Sequence, residues 1–178
     1  ADRVSVIAHG ALTLPAKPLP DLDPIRLLYF GFIYAGKGIE DLIDAMGKVK
    51  AQQPELAARL RLTIAGGTSP DIAFGAQGSY LDQLRARVER RGLSAHVDWE
   101  LDVDERDIPF LVQRHHLMML PYRESRKLAL LGQMRGTSGA LAWAIACGRG
   151  AITSDARAFA EEISHGNGSS YKQGDVNA

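Results

Sequence analysis

The chain predicts an α/β fold of three layers, α/β/α, with helices on both faces of a six-stranded parallel sheet. Three observations lead there. Short apolar runs alternate with stretches of helical periodicity along nearly the whole length, a pattern that strand–helix–strand units with parallel strands satisfy. The runs include continuously apolar stretches, as in IRLLYFGFI (25–33), which suit strands covered on both faces. Several end in glycine or proline, as in LRLTIAGG (60–67) and HLMMLP (116–121), so the chain turns sharply where each strand stops.

Residues 1–24 have the character of a connector. RVSVI suits a short strand, and Pro15, Pro18, Pro20 and Pro24 then forbid a helix. The domain proper is expected over residues 25–178. After the first strand, GIEDLIDAMGKVKAQQ carries Ile39, Leu42, Ile43 and Met46 at helical spacing. LRLTIAGG is the second strand. YLDQLRARVERRG (80–92) is a helix with Leu81, Leu84 and Val88 on one face and Gly92 as its stop. HVDWEL (96–101) is the third strand, and DERDIPFLVQR a short helix with Asp104 as its cap. HLMMLP is the fourth strand. TSGALAWAIACGRGAITSD then reads as a hydroxyl-capped helix with Leu141, Ile145 and Gly148 at helical spacing, a stop at Gly148 and the fifth strand AITS. RAFAEEIS forms a last helix and GSSYK a sixth strand. The expected strand order is 3-2-1-4-5-6, with LLYFGFI and HLMML as central neighbours.

The 178 residues, 46% hydrophobic and 24% charged, suit one domain with a proper core. Lys+Arg and Asp+Glu both total 21, so no global field draws the chain to nucleic acid. The one cysteine, Cys147, excludes a disulfide framework and points to a reducing, cytoplasmic setting with a buried, inert thiol. No run approaches the ~20 apolar residues of a membrane span, and ADRVSVIAHGA lacks the basic-then-apolar design of a secretion signal.

A parallel sheet of this kind binds ligands at the carboxyl ends of its strands. GFIYAGKG, AGGTSP and PYRESRK fall there, together with the helix start at Ser138-Gly139, where unpaired N–H groups favour an anion. GFIYAGKG nearly spells a phosphate-cradling loop, with Gly31, four residues, Gly36 and Lys37. Position 38 is Gly where a magnesium-holding hydroxyl is required, and HLMML ends in Pro rather than Asp. Both argue against a nucleoside-triphosphate hydrolase. Gly31, Gly36 and Gly38 also lack the dinucleotide spacing. Lys37 is then either a solvated lysine in a glycine turn or a cation facing phosphate. His115 and His116 are adjacent, with no ligand spacing to a Cys or carboxylate, and no G-x-S-x-G elbow is present. RARVERR (85–91) is most simply an exposed basic helix face.

Together, RVSVIAHGA, LLYFGFIYAGKGIEDLIDAM, LRLTIAGG, the strand ending in Pro121-Tyr122, and SGALAWAIACGRGAITSDARAFAEEISHGNG resemble the C-terminal domain of the retaining glycosyltransferases of GT-B architecture (family 4, "glycosyl transferases group 1"). The resemblance implies a Rossmann-like domain that holds a nucleotide-sugar donor as a substrate, with no cofactor. It implies a missing N-terminal acceptor-binding domain before Ala1, further helices beyond the last residues, and work in the cytoplasm, including peripheral contact with the inner face of the membrane through the missing half. Polysaccharide or glycoconjugate synthesis is the implied setting.

By position in the family, Gly31, Lys37, Ser138 and Gly139 meet the donor phosphates, and Asp102 and Val103 lie at the base. Tyr122 and Glu161 complete the ribose or sugar side. The family's arginine after the first-strand glycine is Phe32 here, and its paired glutamates fall on Arg135 and Trp143. TSGALAWA resembles an S-G-x-L-A-x-A variant of that helix start, with Arg126, Lys127 or Arg135 restoring positive charge. No metal is expected, because no carboxylate pair lines the loops. The departures leave two alternatives open: a degenerate nucleotide- or partner-binding domain without chemistry, and an NAD- or flavin-binding domain, which the glycine spacing opposes.

Overall fold

A computed structural model describes residues 12–67, 77–124, 138–156 and 159–178. Strands β1 (Ile25–Phe30), β2 (Leu60–Gly66), β3 (Val97–Leu101), β4 (Leu117–Leu120), β5 (Gly150–Ser154) and β6 (Gly168–Tyr171) form one sheet. Its order is β3-β2-β1-β4-β5-β6, and every pair is parallel. The expected topology therefore holds, with β1 and β4 paired through Leu27 opposite Leu117 and Leu28 opposite Met118. The first run stops at Phe30, three residues earlier than its apolar length suggests, because the chain turns at Gly31.

The helices are α1 (Ile39–Gln52), α2 (Pro54–Ala58), α3 (Gln77–Arg90), α4 (Ile108–Gln113), α5 (Gly139–Ala146) and α6 (Phe159–Glu162). Right-handed crossovers in this strand order set α1 and α3 on one face of the sheet and α4 and α5 on the other. The short α2 was not expected, although Pro54 at its first position is a helix-start signal. Asp104 caps a single 3-10 turn, Glu105–Asp107, by accepting from the Arg106 N–H at 2.9 Å. Between α1 and α3, Asp44 accepts from Arg87 at 2.9 and 3.0 Å and from Arg91 at 3.1 Å, which holds the Asp44 carboxyl below its ordinary pKa. Part of the RARVERR face is thus paired across helices.

The core runs along both faces of the central strands, with Leu28, Tyr29, Leu62, Ile64, Met118 and Leu120 at or near zero exposure. Helix α5 is aimed differently from the expected stripe. Leu141 and Ala144 are buried, but Ile145 is 40% exposed. The small residues Ala140 and Ala144 form the face that lies against the protein, which turns Ile145 outward. The RVSVI segment lies outside the described residues.

The connector from Leu14 to Pro20 is fastened to the amino end of the sheet. The Leu14 N–H donates to Ala146 O at 3.3 Å, and Gln113 Nε2 donates to Pro15 O at 2.8 Å. Arg149, 5% exposed, donates to Lys17 O at 3.0 Å, Pro18 O at 2.9 Å, His115 O at 2.9 Å and Gln113 O at 2.6 Å. His116 accepts from the Arg26 N–H at 2.8 Å and lies 3.1 Å from Pro20 O through Nε2, which must then carry its proton.

Candidate functional site

The carboxyl ends of the strands enclose a cleft of about 560 Å³ at the point where strand order reverses between β1 and β4. One wall comes from the ends of β1, β2 and β3: Phe30, Gly31, Phe32, Gly66, Gly67, Asp102 and Val103. The other comes from Lys37, Tyr122 and the start of α5, with Ser138, Gly139, Ala140 and Trp143.

Two glycines let the loops within each wall pack closely. Gly38 caps α1 at φ 68°, and a Cβ there would stand 1.7 Å from Pro121 O. Gly66 ends β2 at φ 139°, and its Cβ would stand 1.9 Å from Gly31 O. Only a residue without a side chain fits either place. Arg123 ties the loop after β4 to the β1–α1 loop: its N–H donates to Gly36 O at 3.0 Å and its guanidinium forks onto the buried Asp41 carboxylate. That pairing holds the Arg123 pKa above its ordinary value.

Lys37 is 9% exposed, and its ammonium lies 3.8 Å from the centroid of the Tyr122 ring and 5.2 Å from that of Tyr34. Tyr122 is itself held in place. Its carbonyl accepts from the Ser154 hydroxyl at 2.6 Å, and its ring packs on Phe159 at 5.3 Å between centroids. Ser138 caps α5, its Oγ accepting from the Leu141 N–H at 3.5 Å. The α5 start is thus a capped helix N-terminus, positive by its dipole, on the same cleft as Lys37.

Tyr29 supports the first wall from beneath. Fully buried, it donates from its hydroxyl to Phe32 O at 2.8 Å, and burial pushes its pKa well up. The Gly31 N–H donates to Ala65 O and the Ile33 N–H to Gly67 O, both at 3.1 Å. Asp102 stands at φ 55°, an uncommon backbone for a residue with a side chain. Its N–H donates to Gly66 O at 3.3 Å.

The structure therefore brings Gly31, Lys37, Ser138, Gly139, Asp102, Val103 and Tyr122 together on one cleft. It does not bring Glu161. Phe159 and Ile163 are buried, so the inward face of α6 repeats four residues apart. Glu161, halfway between them, points outward and is exposed. Phe32 and Trp143, noted as departures from the family, do line the cleft. Arg126, Lys127 and Arg135 lie outside the described residues. Sequence reasoning missed Tyr29 and the Asp41–Arg123 fork. Tyr29 is hidden inside an apolar run, and Asp41 looks like ordinary helix surface.

His115 and His116 are both used inside the protein. His115 Nδ1 lies 2.7 Å from Leu111 O and Nε2 2.8 Å from Thr63 Oγ1. Burial pulls its pKa down to about 4, partly offset by the bond to Leu111. Among the described residues no group of three or more His, Cys, Asp or Glu could hold a metal ion, and no helix is long and apolar enough to cross a membrane.

Comparison with known proteins places this geometry. No curated protein sequence matches the chain. Among solved structures, the HepE protein of Anabaena in complex with UDP superposes with a TM-score of 0.67 at 20% identity, over 86% of this chain and 36% of that one. Sucrose-phosphate synthase from Thermosynechococcus elongatus does so at 0.69 and 21%, over 89% and 35%. The C-terminal domain of the glycosyl transferase group 1 protein LpcC of Francisella tularensis does so at 0.64 and 18%, over 85% and 69%. The chain thus spans about a third of the length of the first two, and the fold is that of one half of a GT-B glycosyltransferase. The family model for glycosyl transferases group 1 matches residues 12–178, and the chain belongs to that family.

Proposed function

We propose that this chain is the donor-binding domain of a retaining glycosyltransferase. The observation that carries this reading is the convergence of Lys37 and the α5 N-terminus on one cleft at the switch point of the sheet. A nucleoside diphosphate with its phosphates against Lys37, Ser138 and Gly139 would place its negative charge where the domain concentrates positive potential. As the bond to the sugar breaks, charge grows on the departing diphosphate. Donors fixed in advance at that point stabilise the transition state more than the bound donor. Gly31 joins them at the phosphates, and Asp102 and Val103 then face the nucleoside. The UDP and UDP-sugar complexes of the Anabaena neighbour support a nucleotide-sugar as the ligand class.

We place the acceptor half of the cleft outside these residues, because the matched enzymes are about three times as long as the share they have in common with this chain. Transfer needs donor and acceptor held together away from water. The second reading, a nucleotide-binding domain without chemistry, is favoured by Phe32 and Trp143, which give the cleft aromatic surface where the family carries charge.

Titration calorimetry of the chain with UDP, GDP, ADP, TDP and NAD tests the binding step. Binding of at least one nucleoside diphosphate in preference to NAD is expected, and preference for NAD would overturn the reading. Followed in a longer chain carrying the acceptor half, sugar transfer with retained anomeric configuration separates the enzyme from the silent binder.

A further inference from the structure

We propose that Arg123 and Asp41 are positioning residues for phosphate binding. Their ion pair clasps the loop after β4 to the start of α1 and thereby fixes where the Lys37 ammonium stands in the cleft. The inference rests on the nucleotide-sugar reading above and adds which residues prepare its phosphate site.

The loops that follow the central strands β1 and β4 each give the cleft one residue of this group, Lys37 from the first and Tyr122 from the second. The ammonium lies over the Tyr122 ring, 3.8 Å from its centroid. A lysine carries its charge on a flexible four-carbon stem, so a fixed backbone alone does not place it. The ring beneath the ammonium does, and the ring stands where the second loop is held against the first.

Four consecutive residues make that hold. Pro121 O closes on Gly38 so tightly that a Cβ there would stand 1.7 Å away. The Tyr122 carbonyl accepts from the Ser154 hydroxyl at 2.6 Å. The Arg123 N–H donates to Gly36 O at 3.0 Å, and its Nε and Nη2 donate to the two Asp41 carboxylate oxygens. The Glu124 N–H donates to Gln173 Oε1 at 2.8 Å. The fork joins the two loops by charge across 82 residues of sequence, and a bidentate pair of this kind fixes orientation as well as distance.

Asp41 is the third residue of α1 and is only 6% exposed. A carboxylate in the first turn of a helix is favourable without burial. Burying it against Arg123 adds a fixed geometry that the helix itself does not require. Among the described residues that line the cleft, neither Asp41 nor Arg123 is found. The pair therefore acts on a ligand through Lys37 and Tyr122 rather than by touching it.

The first test is proton NMR of the chain without ligand. Protons above an aromatic face resonate upfield, so the Lys37 ε-methylene signals, assigned by their loss in Lys37→Ala, should lie upfield of the other lysines. In Arg123→Met they should return toward the ordinary lysine range. Wild-type signals already in that range, or signals that stay upfield in the variant, overturn the positioning role.

The second test is calorimetry with whichever of UDP, GDP, ADP and TDP binds most tightly, and with its nucleoside. Arg123→Met should weaken the diphosphate by about three- to tenfold and leave the nucleoside little changed. Arg123→Lys, which keeps the charge without the fork, should recover part of that loss. In a Lys37→Ala background Arg123→Met should cost nothing further, because no ammonium is left to position. Unfolding midpoints verify that each variant is folded, and if Arg123→Met fails to fold, Asp41→Asn and Arg123→Lys carry the same cycle. Losses that add in the double variant, equal losses for diphosphate and nucleoside, or full affinity in Arg123→Met each overturn the inference and leave the nucleotide reading standing. Failure of every diphosphate to bind the wild type removes that reading and the phosphate role with it, while the NMR comparison still decides whether the pair places Lys37.

Discussion

At the amino end of the sheet Arg149 gives its guanidinium to the carbonyls of His115, Gln113, Lys17 and Pro18, whereas at the carboxyl end Lys37 rests its ammonium 3.8 Å from the Tyr122 ring on the wall of a cleft. Both cations are buried, at 5% and 9% exposure. Backbone dipoles saturate the first, and burial pulls its pKa down from the ordinary arginine value. An anion could reach Arg149 only by breaking bonds that hold the connector. A ring face stabilises an ammonium by about 0.5–2 kcal/mol, and Lys37 stands on the lining of the cleft, where a ligand reaches it without displacing the connector. Burial of a positive charge is therefore no mark of function by itself. What surrounds the charge decides.

That contrast breaks most visibly at Arg149. Arg149→Met leaves at least four carbonyls without their donor, and a loss of about 3–5 kcal/mol in urea unfolding is expected. Nucleotide affinity of the folded protein should be unchanged. A loss of affinity with stability intact would mean that the amino end takes part in binding.

A second consequence sits beside it. His115 has its folded pKa lowered to about 4 from 6.5 by burial. Its unfolded form therefore binds the proton more readily, so its contribution is fully present above about pH 6.5 and is lost as pH falls toward 4. The linkage is of order 3 kcal/mol. Urea midpoints from pH 7 down to 4.5 should fall, and His115→Asn should flatten that fall. An identical pH dependence in the variant would show that other groups carry it.

At the carboxyl end, Gly66→Ala tests the close approach of the β1 and β2 ends within the first wall. A Cβ 1.9 Å from Gly31 O forces the first wall to shift, with an expected cost of about 1–3 kcal/mol in stability and a further drop in nucleotide affinity. Unchanged affinity would mean that the ends of β1 and β2 do not touch the ligand.

The same contrast explains what the sequence allowed. Strand order, helix stops and most of the cleft were legible, because glycines, a capping serine and continuous apolar runs state their backbone geometry in their residue types. Nothing in the residues around the stop at Gly148 singles out Arg149. Its partners are backbone carbonyls, which every residue carries and no pattern singles out. Tyr29 was hidden for the same reason, since its hydroxyl meets the carbonyl of Phe32. Glu161 was placed by resemblance alone, and the burial of Phe159 and Ile163 turns it outward. Ile145 fitted a helical spacing, but alanines on the adjacent stripe let that side approach more closely.

The central claim is that Lys37 serves phosphate where Arg149 serves the fold. The direct measurement is calorimetry of Lys37→Ala against its wild type, with a nucleoside diphosphate and the matching nucleoside. A charge-assisted hydrogen bond is worth about 1.5–3 kcal/mol, so the diphosphate should lose roughly ten- to a hundredfold in affinity while the nucleoside is little changed. Equal losses for the two ligands would contradict the assignment and make Lys37 a second structural cation.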